Sequence, residues 1–136
     1  MVFFTDRDLG AEIFPSILRE HGIAVERHID HFEPAAPDEK WLRGVAENGW
    51  FALTADKGIM RRISERNAVI RHGVGLFVLV GGDSPAAALA RNFVNTFTKV
   101  EQFVRENERP FIAKVYRPSP KTLIDAGHAG SVQRKL

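Results

Sequence analysis

The feature that most constrains the fold is an alternation of short apolar segments with longer segments of helical periodicity. The apolar segments are four to six residues long and rich in β-favouring residues, which predicts buried strands. Strands that alternate with helices indicate a parallel sheet covered by helices on both faces. We therefore predict a single three-layer α/β/α domain whose central, mostly parallel sheet has four or five strands, at 2–5, 23–28, 50–54, 75–80 and 111–116.

Capping and breaking residues set the predicted helix boundaries. Pro15 is tolerated only in a first turn, so the first helix, within 11–21, is expected to begin near Phe14. Ser84 and Pro85 suit the N-cap and first position of the longest helix. Further helices are predicted over 38–47 and 57–66. Residues 118–136 contain two prolines, two glycines and scattered polar residues, so we expect residues 1–117 to form the domain and 118–136 a mobile basic tail.

Composition excludes several classes of protein. The chain has no cysteine, which rules out disulfides, thiolate zinc sites and thiol nucleophiles. The longest apolar run, Leu76–Val80, is far shorter than the ~20 residues of a membrane helix. No basic segment opens the chain, and Asp6 comes early, so no signal peptide is evident. We expect a cytoplasmic protein with no membrane partner.

Charge is distributed unevenly along the chain. Residues 1–90 contain 10 Lys and Arg against 13 Asp and Glu, whereas residues 91–136 contain 9 against 4. An acidic first part and a basic last part are compatible with a metal site facing a phosphate-binding surface. A solvated helix followed by a basic tail would produce the same distribution, and charge alone does not separate the two.

Carboxylates are concentrated where the predicted strands end. In an open parallel sheet, ligands bind at the carboxyl ends of the strands. Acids gathered at one edge repel one another unless a cation neutralises them, and hard oxygen ligands suit Mg²⁺ or Mn²⁺. Capping and turn formation are alternative roles for Asp38 and Asp56. The polar residues expected at this edge are Asp6, Asp8, Asp38, Glu39, Thr54, Asp56 and Asp83.

Three segments, taken in order, resemble the PIN-like domains, in particular the compact toxin ribonucleases of bacterial and archaeal toxin–antitoxin pairs. They are the strand-ending aspartate in Phe3–Asp6, the helix start in Pro37–Trp41 and the strand end in Leu53–Lys57. Each segment alone is a weak signal, but the combination is fairly specific. The resemblance extends over residues 2–83 and implies a Mg²⁺- or Mn²⁺-dependent endoribonuclease, in which an acidic cluster holds the metal that activates water.

The resemblance also assigns roles to residues. Asp6 matches the first acid of the family, Asp38 the second with Glu39 as the fallback, and Asp56 the third. Asp83 is the nearest candidate for a fourth acid, although it matches poorly. Thr54 matches the small hydroxyl that accompanies the third acid. The basic residues that flank this site and are expected to hold RNA phosphates are Arg7, Lys57, Arg61 and Arg62.

The implied partners are an RNA substrate and a small protein antitoxin that covers the acidic groove with a basic side chain. Homodimers are common in the family. The aromatic apolar face of the long helix, which includes Phe93 and Phe97, leaves room for such pairing.

Two other functions fit parts of the sequence. A receiver-like signalling module is also a parallel α/β domain with acids after strands one and three, and Lys114 would be its lysine on strand five. Its adjacent acid pair is interrupted here by Arg7. A catalytically degenerate PIN-like binding protein is the second alternative, and the presence of Asp6, Asp38 and Asp56 argues against it.

Overall fold

The computed structural model describes all 136 residues and contains one sheet of six strands. Every neighbouring pair of strands in the sheet is parallel except the last, which confirms the predicted mostly parallel α/β architecture. The strands are β1 (Val2–Thr5), β2 (Ala24–Arg27), β3 (Phe51–Thr54), β4 (Gly75–Leu79), β5 (Phe111–Tyr116) and β6 (Ser131–Arg134). They lie in the order β2-β1-β3-β4-β5-β6.

Five helices surround the sheet. None of them is long and apolar enough to cross a membrane. Short 3₁₀ turns span Arg7–Leu9, Lys57–Met60 and Lys121–Ile124. The helices are α1 (Ile13–Glu20), α2 (His28–His31), α3 (Asp38–Glu47), α4 (Ile63–His72) and α5 (Ala86–Glu106).

The two faces of the sheet bury separate apolar clusters. Successive residues of a strand point to opposite faces. Phe3 therefore packs in the layer that contains α1 and α5, whereas Phe4 stacks on Trp41 of α3 in the other layer. The apolar face of α5, including Phe93 and Phe97, packs into the first of these layers. The core thus covers the sheet from both sides and leaves the carboxyl ends of the strands at the surface.

The helix predicted over 57–66 divides into two elements. Asp56 accepts a hydrogen bond from the Gly58 amide at 2.9 Å, which closes a tight turn and favours the 3₁₀ segment Lys57–Met60. The α-helix α4 begins only at Ile63 and ends at Gly73, whose left-handed φ of 73° suits glycine. The turn leaves Lys57 beside Asp56 at the end of β3, whereas Arg61 lies in a separate cavity near the end of the chain.

The sixth strand lies in the segment for which we predicted a mobile tail. Residues 131–134 pair antiparallel with β5. Buried polar groups of α5 hold the approach to this strand, because the Thr96 hydroxyl accepts from the Gly130 amide and Asn92 donates to the Tyr116 carbonyl. A Cβ at Gly130 would overlap that same carbonyl oxygen. Proline and glycine content indicated mobility but gave no sign of this pairing.

Candidate active site

Asp6 and Thr54 meet at the carboxyl edge of two adjacent strands. The pairing of β1 with β3 continues beyond Thr5, since the Asp6 amide donates to the Leu53 carbonyl at 3.0 Å. The Thr54 hydroxyl lies 3.0 Å from Asp6 Oδ2, and the Arg7 amide donates to Asp6 Oδ1 at 2.7 Å. Both Asp6 and Thr54 are buried, so the Asp6 carboxylate has a fixed position at the carboxyl ends of β1 and β3.

Asp8 shares the same hydroxyl. Its Oδ2 lies 3.2 Å from Thr54 Oγ1 and accepts from the Ala55 amide at 3.1 Å. A hydroxyl carries one proton and donates to one acceptor at a time, so Thr54 cannot satisfy Asp6 and Asp8 together. The roles carried over from the resemblance did not include Asp8. Its position two residues after Asp6, past the same strand end, was the signal in the sequence.

Burial raises the pKa of the Asp6 carboxyl to about 7, and the nearby charge of Asp8 adds to the shift. The pKa of Asp8 is also raised, first by the surrounding protein and then by the charges of Asp56 and Asp38, although the residue keeps solvent contact. Neither carboxylate has a cationic side chain within ion-pair distance. The pair therefore carries negative charge that the protein itself does not neutralise.

Asp38 and Asp56 are drawn together by Arg62. Arg62 Nη2 lies 2.6 Å from Asp56 Oδ2 and 3.3 Å from Asp38 Oδ2. Asp38 also accepts from the Trp41 indole at 2.9 Å. Asp38 opens α3 and Asp56 follows β3, so the guanidinium links two acids from different elements. Its pairing with acids differs from the phosphate-binding role that the sequence suggested.

Arg7 lies between the acids and a buried histidine. Its guanidinium donates to the Ala36 carbonyl at 2.8 Å and approaches Asp38 Oδ1 at 3.6 Å. The same side chain lies 3.5 Å from His28 Nε2. Burial first, and then the positive charge of Arg7, lower the pKa of His28. Arg7 thus helps to position the start of α3 and remains partly exposed at the rim of the acidic cluster.

Glu39 points away from the other acids. It pairs with Arg71 at 2.7 Å and lies 3.7 Å from His72, both on α4. Although Glu39 is adjacent to Asp38 in sequence, neighbouring residues of a helix face different directions. The structure therefore does not bring this fallback acid into the cluster.

A groove of about 770 Å³ opens beside the acidic cluster. We call it the carboxyl-edge groove, because it runs past the ends of β3, β4 and β5. Its acidic end and its basic end are formed by different parts of the chain. Its charged lining residues are Asp8, Asp56, Lys57, Asp83, Lys114 and Arg117.

The donor set suits a divalent metal ion, although it is not assembled around one point. No group of three or more His, Cys, Asp or Glu side chains lies close enough together to surround one ion. Asp6, Asp8, Asp38 and Asp56 nevertheless act on one another electrostatically, and all offer hard oxygen ligands. Because Asp6 and Asp8 lack a cationic partner, the residues fit Mg²⁺ or Mn²⁺ in charge and ligand type.

Comparison with known sequences decides the family. The sequence model described as PIN like domain matches residues 1–81, more than half of the chain. The chain belongs to the PIN-like domain family. A relative from Mycobacterium tuberculosis (strain ATCC 25618 / H37Rv), named "Putative ribonuclease VapC45", is 30% identical over 117 residues, which cover 83% of this chain and 84% of that protein. No solved structure matched the chain.

The PIN-like match confirms the family that the order of motifs indicated and decides against a receiver module. It includes Asp6, Asp8, Asp38, Thr54 and Asp56. The basic lining residues of the carboxyl-edge groove on β5 and just after it lie beyond the match. In this PIN-like chain, Asp8, Asp56 and Lys57 of the groove lie within the match, whereas Asp83, Lys114 and Arg117 lie beyond it.

Proposed function

We propose that this protein is a metal-dependent endoribonuclease and the toxin of a toxin–antitoxin pair. Its substrate is RNA, its site holds Mg²⁺ or Mn²⁺, and it acts in the cytoplasm. One observation carries the proposal: Asp6 and Asp8 are crowded carboxylates without a cationic partner, joined through Thr54 at the carboxyl edge. The PIN-like family and the ribonuclease name of the relative support it.

Asp6 and Asp8 cost free energy in the folded chain as long as their charge is not neutralised. A carboxylate buried beside a second carboxylate is expensive unless a charge compensates it. Asp6 is only 5% exposed and is held by Thr54 and the Arg7 amide, neither of which brings positive charge to it. Asp6 and the neighbouring acids would hold a divalent cation, which would supply that charge and activate a water for phosphodiester hydrolysis.

The chain's own residues have distinct roles in this proposal. Asp6, Asp38 and Asp56 are the metal-holding carboxylates, and Asp8 is the fourth acid in place of Asp83. Thr54 is a positioning residue, since its hydroxyl contacts Asp6 and Asp8 and accepts from the Asp56 amide at 3.1 Å.

Cations at the rim bind the substrate backbone. Lys57 lines the groove next to Asp56 and has no ion pair, so its ammonium is free to contact an RNA phosphate. Arg7 remains partly exposed and faces the same acids from the side of α3. A protein antitoxin would inhibit by covering the groove and placing a basic side chain against these acids.

Cleavage of a mixed-sequence RNA tests the proposal. The purified chain is assayed with Mn²⁺, with EDTA, and as the Asp6→Asn and Asp56→Asn variants. Asp125→Asn is the matched control, because Asp125 is exposed and its side chain makes no hydrogen bond or ion pair. We expect cleavage by the parent chain and the control, and a loss of about 100-fold or more in each of the other three conditions.

Two outcomes would contradict the proposal. Cleavage that persists in EDTA and in Asp6→Asn would mean that the activity does not depend on this site. Absence of both cleavage and Mn²⁺ binding would favour a degenerate PIN-like binding protein. Expression in a bacterial host tests the toxin role separately: the parent chain should arrest growth and Asp6→Asn should not.

A further inference from the structure

Four cations converge on a second cavity whose lining contains no Asp or Glu side chain. The cavity has a volume of about 280 Å³ and lies where the turn before α4 approaches the end of the chain. None of the four has a carboxylate within ion-pair distance, whereas Arg43 pairs with Glu47 on the surface of α3. We call it the C-terminal cavity, and its charged lining residues are Arg61, Arg66, Lys114 and Lys135.

Strand geometry places three polar side chains on one face of the β5–β6 hairpin. Residues two apart on a strand share a face, so Lys114 and Tyr116 lie on the side of Ile112, which packs in the layer of α3 and α4. Lys135 lies opposite Ile112 and reaches the same face, where its ammonium sits 5.9 Å from the centre of the Tyr116 ring. The helices bury Ile112 but leave Lys114 and Tyr116 partly exposed.

The C-terminal cavity adjoins the carboxyl-edge groove. Lys114 lines both this cavity and the carboxyl-edge groove, and the groove also contains Asp8 and Asp56. On the other side, the turn from Lys57 to Met60 lines both: Lys57 faces the groove and Met60 the cavity. Lys114 therefore stands between the groove that contains Asp8 and Asp56 and the cavity on the hairpin.

We propose that this face of the β5–β6 hairpin binds single-stranded RNA on one side of the cleavage point. The inference rests on the proposed function and adds to it a second binding surface outside the acidic cluster. Like charges that converge without acidic partners are best neutralised by a polyanion. Lys114 and Lys135 contact the phosphates and Tyr116 stacks on a base, the combination used by sequence-tolerant single-strand binders.

RNA fits this surface better than an acidic protein segment does. The surface combines point charges with an aromatic ring, and single-strand RNA binding uses that combination. Lys114 and Tyr116 also line the groove beside which we place phosphodiester cleavage.

The proposed RNA-binding surface is tested by measuring the affinity for RNA as a function of RNA length and salt concentration. Fluorescently labelled oligouridines of about 4 and about 12 nucleotides are titrated against the chain in an Asp6→Asn background, which prevents cleavage. The test variant combines Lys114→Gln with Lys135→Gln. The matched control combines Lys40→Gln with Lys121→Gln, which removes two exposed lysines that have no ion pair elsewhere on the surface.

We expect the test variant to bind the longer RNA about 10-fold more weakly. The slope of log affinity against log salt concentration should become shallower by about 1.4, because two phosphate contacts are lost. The control should stay within about two-fold of the parent, since it removes the same net charge at unrelated positions. Tyr116→Leu should also weaken RNA binding about 10-fold, whereas Tyr116→Phe, which keeps the ring, should bind as tightly as the parent.

Equal weakening in the test and control variants would overturn the hairpin surface, because net charge would then explain the result. Tighter binding of polyglutamate than of RNA would overturn it in favour of an acidic partner. Cleavage by the chain with Asp6 intact is measured in parallel. Cleavage with no effect of the hairpin variants would overturn this inference alone, and a chain that neither cleaves nor binds RNA would overturn both proposals.

Discussion

The Nη2 atom of Arg62 lies 2.6 Å from a carboxylate oxygen of Asp56. The same nitrogen reaches Asp38 at 3.3 Å, and the Nε atom pairs with Glu65 at 3.1 Å. The guanidinium therefore supplies positive charge to two acids that we propose as metal ligands. A divalent cation that binds both of them has to displace it.

We therefore predict that Arg62→Gln tightens Mn²⁺ binding. Removing a competing cation from Asp38 and Asp56 should lower the dissociation constant about 10-fold, which corresponds to ~1.4 kcal/mol. Calorimetric titration of the metal into the chain without RNA measures it. Arg43→Gln is the control, because Arg43 pairs with Glu47 away from the cluster. Weaker binding in Arg62→Gln would mean that Arg62 organises the acids instead of competing for them.

The raised pKa of Asp6 predicts an unusual dependence of stability on pH. The folded chain binds the Asp6 proton with a pKa of about 7, against 3.8 for an ordinary aspartate. The unfolded chain therefore loses its proton first, and the free energy of unfolding falls as pH rises from about 4 to about 7. Above that range the penalty is constant.

Asp6→Asn removes this titration and should be more stable than the parent above pH 7, by about 2–4 kcal/mol. Urea denaturation in EDTA between about pH 5 and about pH 8 measures the difference, which should shrink toward the acidic end. Asp125→Asn should leave the profile unchanged. A parent chain whose stability rises through this range would contradict the prediction.

Thr54→Val tests the shared hydroxyl. Valine has nearly the same shape but no hydroxyl, so Asp6 and Asp8 lose their common donor and the Asp56 amide loses its acceptor. We expect the free energy of unfolding to fall by about 1–3 kcal/mol, because buried polar groups are left without partners. Thr54→Ser keeps the hydroxyl and should retain more of this stability. Equal losses in both variants would point to packing of the methyl group as the cause.

Glu39→Gln should have little effect on either stability or RNA cleavage. Its ion pair with Arg71 is exposed on both sides, and such pairs contribute ~0–1 kcal/mol. Asp38→Asn, one position earlier, should abolish cleavage because Asp38 faces Arg62 and the other acids. The two variants are compared in one cleavage assay. A similar loss in both would reinstate Glu39 as a member of the site.

The sequence was sufficient for the layers of the fold and for the edge at which acids collect, because both follow from local periodicity and from where strands end. The contacts of Thr54 with Asp6 and Asp8 could not be predicted from local periodicity alone. They join residues 48 and 46 positions apart and depend on β1 lying next to β3. Alternation of strands and helices does not specify that neighbour.

Side-chain direction explains the other differences. The choice between Asp38 and Glu39 depends on which side of α3 faces the sheet edge, and Arg62 reaches the acids from the segment between the 3₁₀ turn and α4. The sixth strand was missed for a related reason. Its pairing depends on buried Asn92 and Thr96 of α5, which are distant in sequence and polar.

The position of β6 at the border of the sheet has a consequence for the solubility of the protein. One side of this strand pairs with β5, while the other side leaves backbone amides and carbonyls free to pair with a strand of another molecule. Arg134 and Lys135 place charge at this border, and charged side chains on an edge strand discourage such pairing. Neutralising these two residues would therefore increase the tendency of the chain to aggregate, so Lys135, which we propose to hold RNA, also protects the chain from assembly into extended sheets.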